Sequence, residues 1–269
     1  MPGDDWSGWR RRRLMTALGA AALASNGVAA AQTGASAGPQ LGTRERPLRM
    51  VALGIEPFGQ LDKAGLASGL AVDLADSVSR ESGIVITSSV APYQRALAMM
   101  SSGLADIMIT ISNSRLEQVA TPLATFFKGD VVVVGRAGTR FHSLADLRGK
   151  MVGQIRGAEY VEAAIADAGI IKHETSSLEQ TMRMLLEGRY EAAIGFRGAM
   201  FYVLRTMNVP REKLGATLLL SQPDVWLYLS RKVQEPAINA ALIKAANALR
   251  ERGAVKELLA HYFGGLASE

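Results

Sequence analysis

The stretch Thr110-Ile111-Ser112-Asn113-Ser114-Arg115 holds the densest set of groups able to do chemistry. Thr110 and Ser112 carry hydroxyls that donate and accept. Arg115 carries a planar guanidinium able to hold a carboxylate through two parallel hydrogen bonds. The stretch follows directly on Ile107-Met108-Ile109, an apolar run of strand character. In an open α/β sheet, ligands gather beyond the carboxyl ends of the strands, so this position gives the three side chains a reason to converge. The plainer reading of Arg115 is a solvated residue early in a helix. No G-x-G-x-x-G and no G-x-x-x-x-G-K-[ST] occurs. His142, His173 and His261 stand far apart with no partner at metal-ligand spacing, and read as surface or capping residues. Gly149, Gly153 and Gly157 surround one strand and its turn, serving either turn geometry or a helix N-terminus that faces an anion.

The chain contains no cysteine, which excludes a disulfide framework, a thiolate zinc site, a Cys nucleophile and an acylated N-terminal cysteine. Arg10 to Arg13 form a dense positive run, followed by an uncharged Ala/Leu/Gly-rich stretch from Leu14 that closes on Ala29-Ala30-Ala31. That order is the layout of a secretory signal peptide, with cleavage expected after Ala31. The glycines, Ser25 and Asn26 make the stretch a poor membrane anchor. Arg11-Arg12-x-Leu14-Met15 also fits a twin-arginine signal, the alternative being a general signal with surplus arginines. Loss of residues 1–31 removes four arginines and two aspartates, so the net charge falls from +5 to +3. No Lys/Arg cluster then remains to neutralise a row of phosphates, and a nucleic-acid partner is not expected. Residues 32–46 begin with a Gly/Ala/Ser tail and read as a disordered linker.

The elements that position the Thr110 stretch alternate between strand and helix. Leu48 to Leu53 reads as a first strand. Leu70, Leu74 and Val78 mark one helix face, ended by Gly83. Ile84-Val85-Ile86 reads as a short buried strand, Ala96 to Met100 as a helix stopped at Gly103, and Val131 to Val134 as a mid-sheet run. A second set follows. It has a capping-box-like start at Ser143 to Asp146, a strand at Met151 to Ile155, a helix around Val161 and Ile165 and a strand start at Ile170-Ile171. After these come a helix face at Leu178, Met182, Leu185 and Leu186, and a strand at Ala192 to Ile194. Late strands at Thr217 to Leu220 and Val225 to Leu229 precede a helix from about Ala237 to Arg252. Alternation of this kind predicts an α/β chain with largely parallel sheets in two similar units.

Several segments, in order, resemble the type II periplasmic solute-binding proteins, in particular the polar amino-acid family of ABC-transporter receptors. They are Glu56-Pro57-Phe58 with Gly65, Gly69 and Asp73-Leu74; Ala105-Asp106-Ile107 with Thr110 to Arg115 and Thr121-Pro122-Leu123; Ser143 to Lys150; Leu186 to Ala192; and Gly253 with Tyr262-Phe263-Gly264. The resemblance implies two α/β lobes joined by two crossover strands, lobe one being residues 47–134 and 225–269 and lobe two residues 135–224. It implies a cleft that closes on one small solute, no cofactor, a monomer in the periplasm and an ABC permease as partner. It also implies that Arg115 grips the ligand's carboxylate and that Thr110 assists, with Ser112 beside it.

The departures from the family pattern bear on the ligand. Phe196 stands where the family places an acid for the α-ammonium group. Gly157-Ala158-Glu159 replaces the Gly-Ser/Thr pair, and Ile55 replaces an early aromatic. Glu159 or Glu56 would take the acid's role, or else be respectively a first-turn helix carboxylate and a solvated loop carboxylate. Phe196 is otherwise core packing. Tyr93 and Gln94, ahead of a helix, are further candidates for the lining. The expectation is a periplasmic binding protein for a small polar or carboxylate-bearing, amino-acid-like solute, not an ordinary α-amino acid held in the usual way: either it lacks the α-amino group or its amine is met by Glu159 or Glu56. The alternatives are a cyclohexadienyl dehydratase-like enzyme using a cleft carboxylic acid such as Glu159, and a non-transport periplasmic accessory protein.

Overall fold

A computed structural model describes residues 40–112, 114–156, 158, 166 and 169–264. The leader, Asn113, Gly157, Glu159 and the helix expected around Val161 and Ile165 lie outside the described residues. In chain order the strands are β1 (Leu48–Leu53), the short pair β2 (Gln60–Leu61) and β3 (Ala67–Ser68), β4 (Ile86–Ala91), β5 (Ile107–Ile111), β6 (Ala120–Lys128), β7 (Val131–Arg136), β8 (Met151–Ile155), β9 (Ile171–Thr175), β10 (Ala192–Phe196), β11 (Leu214–Ser221) and β12 (Asp224–Ser230). The described α-helices are α1 (Leu70–Ser82), α2 (Tyr93–Ser102), α3 (Ser114–Val119), α4 (Leu178–Leu186), α5 (Arg197–Thr206), α6 (Pro236–Glu251) and α7 (Ala254–Phe263).

The strands form two five-stranded sheets, ordered β4-β1-β5-β12-β6 and β11-β7-β10-β8-β9. In the first, β4, β1 and β5 run parallel; in the second, β10, β8 and β9 do. Every antiparallel pairing in both sheets involves a strand that leads into or out of a crossing between them. β6 passes into β7 at residues 129–130, and β11 returns into β12 at residues 222–223. The two crossings pair with each other: Lys128 faces Asp224, Val131 faces Ser221, and the Gly129 N–H donates to the Pro223 carbonyl at 3.0 Å. The lobes are thus joined by one antiparallel ribbon.

Local patterning explains most of these elements. Leu70, Leu74 and Val78 are buried along α1, and Gly83 ends the helix in the left-handed region at φ 74, donating to the Ser79 carbonyl. On α4, Leu178, Met182 and Leu185 face inward, and the Ser177 hydroxyl accepts from the Gln180 N–H. In β7, Val132 and Val134 join the main core while Val131 and Val133 join a second one, so the sheet is covered on both faces. That strand belongs wholly to the second sheet, so the crossing falls at 129–130 rather than after 134 as the sequence suggested. A buried valine run fits either sheet equally well. The strand expected over Ile84 to Ile86 instead begins at Ile86 and runs to Ala91, because its backbone pairs with β1 from Leu48 to Leu53. Asp146 closes the expected start at Ser143, accepting from the backbone N–H groups of His142 and Ser143, which holds its carboxyl below the usual range.

Two polar devices tie elements together. The buried Asp106 carboxylate accepts from the Arg49 backbone N–H and from Arg49 Nε, both at 2.9 Å, and from Nη2 at 2.9 Å. Its own N–H donates to the Arg49 carbonyl and its carbonyl accepts from Ser230, so one residue joins β1, β5 and β12. At the far end of the chain, the Tyr262 hydroxyl donates to Asp73 Oδ2 at 2.7 Å, and Arg205 donates to the Tyr262 carbonyl at 2.8 Å. Helix α7 is thereby fixed to α1 of the first lobe and α5 of the second. Burial, reinforced by the bond to Asp73, pushes the Tyr262 phenol up, which keeps it a donor.

Candidate functional site

Parallel strands from both sheets end at one place. Leu53 closes β1, Ile111 closes β5, Ile155 closes β8 and Phe196 closes β10, and all four side chains line a shared cavity of about 50 Å³. The first lobe adds Ile55, Phe58, Ile109, Thr110 and Val225; the second adds Leu178 and Ala199. Among the described residues the Thr110 hydroxyl is the one polar side-chain group in this lining, and no titratable side chain belongs to it. Such a cavity supplies apolar contact, water exclusion and a single hydrogen bond. Among the described residues no group of His, Asp and Glu could hold a metal ion.

Phe196 is the centre of the arrangement. It ends β10 and is 8% exposed. Its ring meets Phe58 edge-on at 5.1 Å and lies 6.5 Å from Phe263, while Phe58 and Phe263 are 5.9 Å apart. The trio therefore joins lobe one, lobe two and α7. The ring reaches the crossing itself: a Cβ built on Gly129 would sit 1.8 Å from Phe196 Cζ. The next residue anchors it there. The Arg197 N–H donates to the Asp130 carbonyl at 2.8 Å, Arg197 Nε lies 3.4 Å from Asp130 Oδ2, and Gln222 donates to Asp130 Oδ1 at 2.8 Å.

Of the residues singled out in the sequence, Thr110 and Phe196 line the cavity, as does Ile55. Ser112 lies just beyond β5, exposed, and hydrogen-bonds the Tyr228 hydroxyl. Arg115 is exposed in the first turn of α3, five residues past Thr110. Glu56 is exposed in the loop after β1; Tyr93 is half-buried and Gln94 exposed at the start of α2. None of these five is part of the lining, and Glu159 lies outside the described residues. Gly153 lies inside β8, where a Cβ would meet Tyr190 Cζ at 2.2 Å, so its role is close packing. Phe58, Ile109, Leu178 and Val225 were not anticipated. Ile109 lies inside β5 and Val225 near the start of β12, and neither they nor Phe58 and Leu178 carry a mark in the sequence.

The sequence profile of the bacterial extracellular solute-binding proteins, family 3, matches residues 49–265. A probable amino-acid-binding protein of Bacillus subtilis (strain 168), YxeM, is 20% identical over 213 residues, which cover 77% of this chain and 80% of that one. An ancestral arginine-binding protein bound to arginine superposes with a TM-score of 0.66 at 20% identity, covering 81% of this chain and 98% of that one. A periplasmic His/Glu/Gln/Arg/opine family-binding protein from Silicibacter pomeroyi, in complex with lysine, gives 0.67 at 16% identity, covering 82% and 99%. These likenesses place the two sheets in the two-lobe architecture of type II periplasmic binding proteins. No helix among the described residues is long and apolar enough to cross a membrane.

Proposed function

The chain belongs to the bacterial extracellular solute-binding proteins, family 3, and from that premise we propose that it captures one small carboxylate-bearing solute between its lobes and passes it to an ABC importer. One observation carries this reading: a cavity at the carboxyl ends of parallel strands is lined from both sheets, so a bound solute contacts both lobes at once. A ligand making contacts that exist only when the lobes meet shifts the population toward the closed form. The antiparallel ribbon at 129–130 and 222–223 is the hinge in this scheme. Thr110 meets the solute inside the cleft, and Arg115, beyond the end of β5, takes the carboxylate at its mouth. In this reading the chemistry is binding without turnover. The protein acts as an exported monomer. In the secreted form, mass spectrometry should find an N-terminus near Gln32; an intact Met1 would refute export with cleavage.

Thermal shifts of the full chain against amino acids, polyamines, dicarboxylates and aromatic acids test the central claim. A ligand at a hundredfold excess over its Kd stabilises the folded state by about 2.7 kcal/mol. Arg115→Ala should then cost about 0.2–1 kcal/mol of binding, the range for losing an exposed charge pair. A chain that no member of the panel stabilises would instead favour an accessory role, which the smallness of the cavity, about 50 Å³, also suits.

A further inference from the structure

We infer that the last turn of α7 is a clasp that holds the two lobes together before any solute arrives. The inference goes beyond solute capture and does not depend on it, because every contact it uses is made by the chain itself. The ribbon at 129–130 and 222–223 is the covalent joint between the lobes. Helix α7 supplies a second, noncovalent one. The chain reaches α7 from lobe one, directly after α6, which lies along α1 and β6. The Tyr262 hydroxyl then fixes the end of α7 to α1 through Asp73 Oδ2, at 2.7 Å.

The same turn grips lobe two. Arg205 Nη2, on α5, donates to the Tyr262 carbonyl at 2.8 Å, so Tyr262 is held by its hydroxyl from one lobe and by its carbonyl from the other. The Phe263 ring lies on the first turn of α5, where a Cβ built on Gly198 would meet Phe263 Cδ1 at 2.7 Å. Glycine at 198 is what lets the ring come so close. Phe263 is 5% exposed and stands 6.5 Å from Phe196 of lobe two and 5.9 Å from Phe58 of lobe one. Through these rings a single apolar cluster runs from Leu74 and Leu249 in lobe one to Met200 and Val203 in lobe two. Parting the lobes must therefore break the Arg205 bond and expose aromatic surface to water, both of which favour the closed form while the cleft is empty. A solute enters only during the fraction of time that the clasp is released.

The test is the distance between the lobes in the full chain, dialysed free of small solutes. The protein has no cysteine, so Ser101→Cys in α2 and Glu187→Cys after α4, both at exposed positions, provide a unique pair for spin labels and pulsed electron resonance. The otherwise wild-type chain should give one narrow distance distribution. Arg205→Ala, Tyr262→Phe and Phe263→Ala should each add a second, separated population. The two hydrogen-bond variants should raise the open-to-closed ratio by roughly 2- to 10-fold, the net worth of one hydrogen bond. Phe263→Ala should raise it further, because it removes the aromatic contacts. Tyr262 is held in series between Asp73 and Arg205, so combining Arg205→Ala with Tyr262→Phe should exceed the larger single effect by less than about twofold. Two effects that multiply in full would mean separate contacts and no clasp. The inference also falls if the wild type already populates two distances comparably, or if the variants leave its distribution unchanged. Arg205 is exposed and Tyr262→Phe keeps the ring, so the test stands even where Phe263→Ala fails to fold. Loss of the clasp would leave the solute-binding reading intact, and a thermal-shift panel without a hit would leave the clasp intact.

Discussion

Gly129→Ala should lower the stability of the protein by about 1–3 kcal/mol, the usual cost of forcing an extra carbon into a filled core. The added Cβ would meet Phe196 Cζ at 1.8 Å and Cε2 at 1.9 Å, separations that require something to move. Neither side can yield cheaply. Gly129 is buried and its N–H is bonded to the Pro223 carbonyl across the ribbon, while the Phe196 ring is flanked by Phe58 and Phe263. Gly129 is not among the positive-φ glycines, so alanine brings no backbone strain and the cost is steric. Alanine also trims unfolded-state entropy by about 0.4–1 kcal/mol, which offsets only part of the loss. For a chain of this size the melting temperature should drop by roughly 2–10 °C. The decisive measurement is the double-mutant cycle in urea. In a Phe196→Ala background Gly129→Ala should cost nothing or stabilise, because the clash is gone. Equal costs in both backgrounds would show that the ring is not what glycine makes room for.

Asp106→Ala is expected to cost about 2–4 kcal/mol, in the range for breaking a buried charged pair. The aspartate is 5% exposed and receives three hydrogen bonds from Arg49, one of them from the main chain. Alanine leaves the Arg49 N–H without its acceptor where β1 meets β5. The guanidinium, about half exposed, recovers water and limits the damage. Asp106→Asn should lose less, since an amide oxygen still accepts the main-chain bond. Arg49→Lys should fall between wild type and Arg49→Ala, because an ammonium cannot reproduce the fork. Chemical unfolding reads all four variants. A loss below about 0.5 kcal/mol for Asp106→Ala, the level of an ordinary surface change, would mean that the sheet does not depend on this pin.

What the sequence reveals of the fold depends on whether burial has a period. Leu70, Leu74 and Val78 announce α1, and Leu178, Met182 and Leu185 announce α4, because a helix with one buried face repeats every three or four residues. Strand β4 is hidden, since Thr87, Ser88 and Ser89 look like a loop; its pairing with β1 makes it a strand. The crossing at 129–130 is marked instead by Lys128-Gly129-Asp130, which interrupts the apolar residues on either side; the valine run after it gives no sign of which sheet it joins. The same limit governs the site. Thr110 is visible as a hydroxyl at a strand end and Phe196 as a ring where an acid was expected. Phe58, Leu178 and Val225 are written in the alphabet of the core, and a cleft lined with core-like side chains carries no mark of its own. Asp106, which pins three strands, appears in the sequence only as part of a family resemblance.

The order of strands in the first sheet has a consequence for synthesis. β12 lies in its interior, between β5 and β6, yet it is made after every strand of the second sheet. A growing chain that has reached Ser221 therefore holds a complete second sheet, while β5 and β6 still wait for the strand that fills the gap between them. Lobe two closes as a contiguous unit; lobe one remains a pair of open edges until residues 224–230 emerge. Such edges recruit other chains. A nascent chain arrested before Asp224 is thus a different hazard from one arrested after Ser230: the former offers apolar strands to its neighbours, and the latter has buried them.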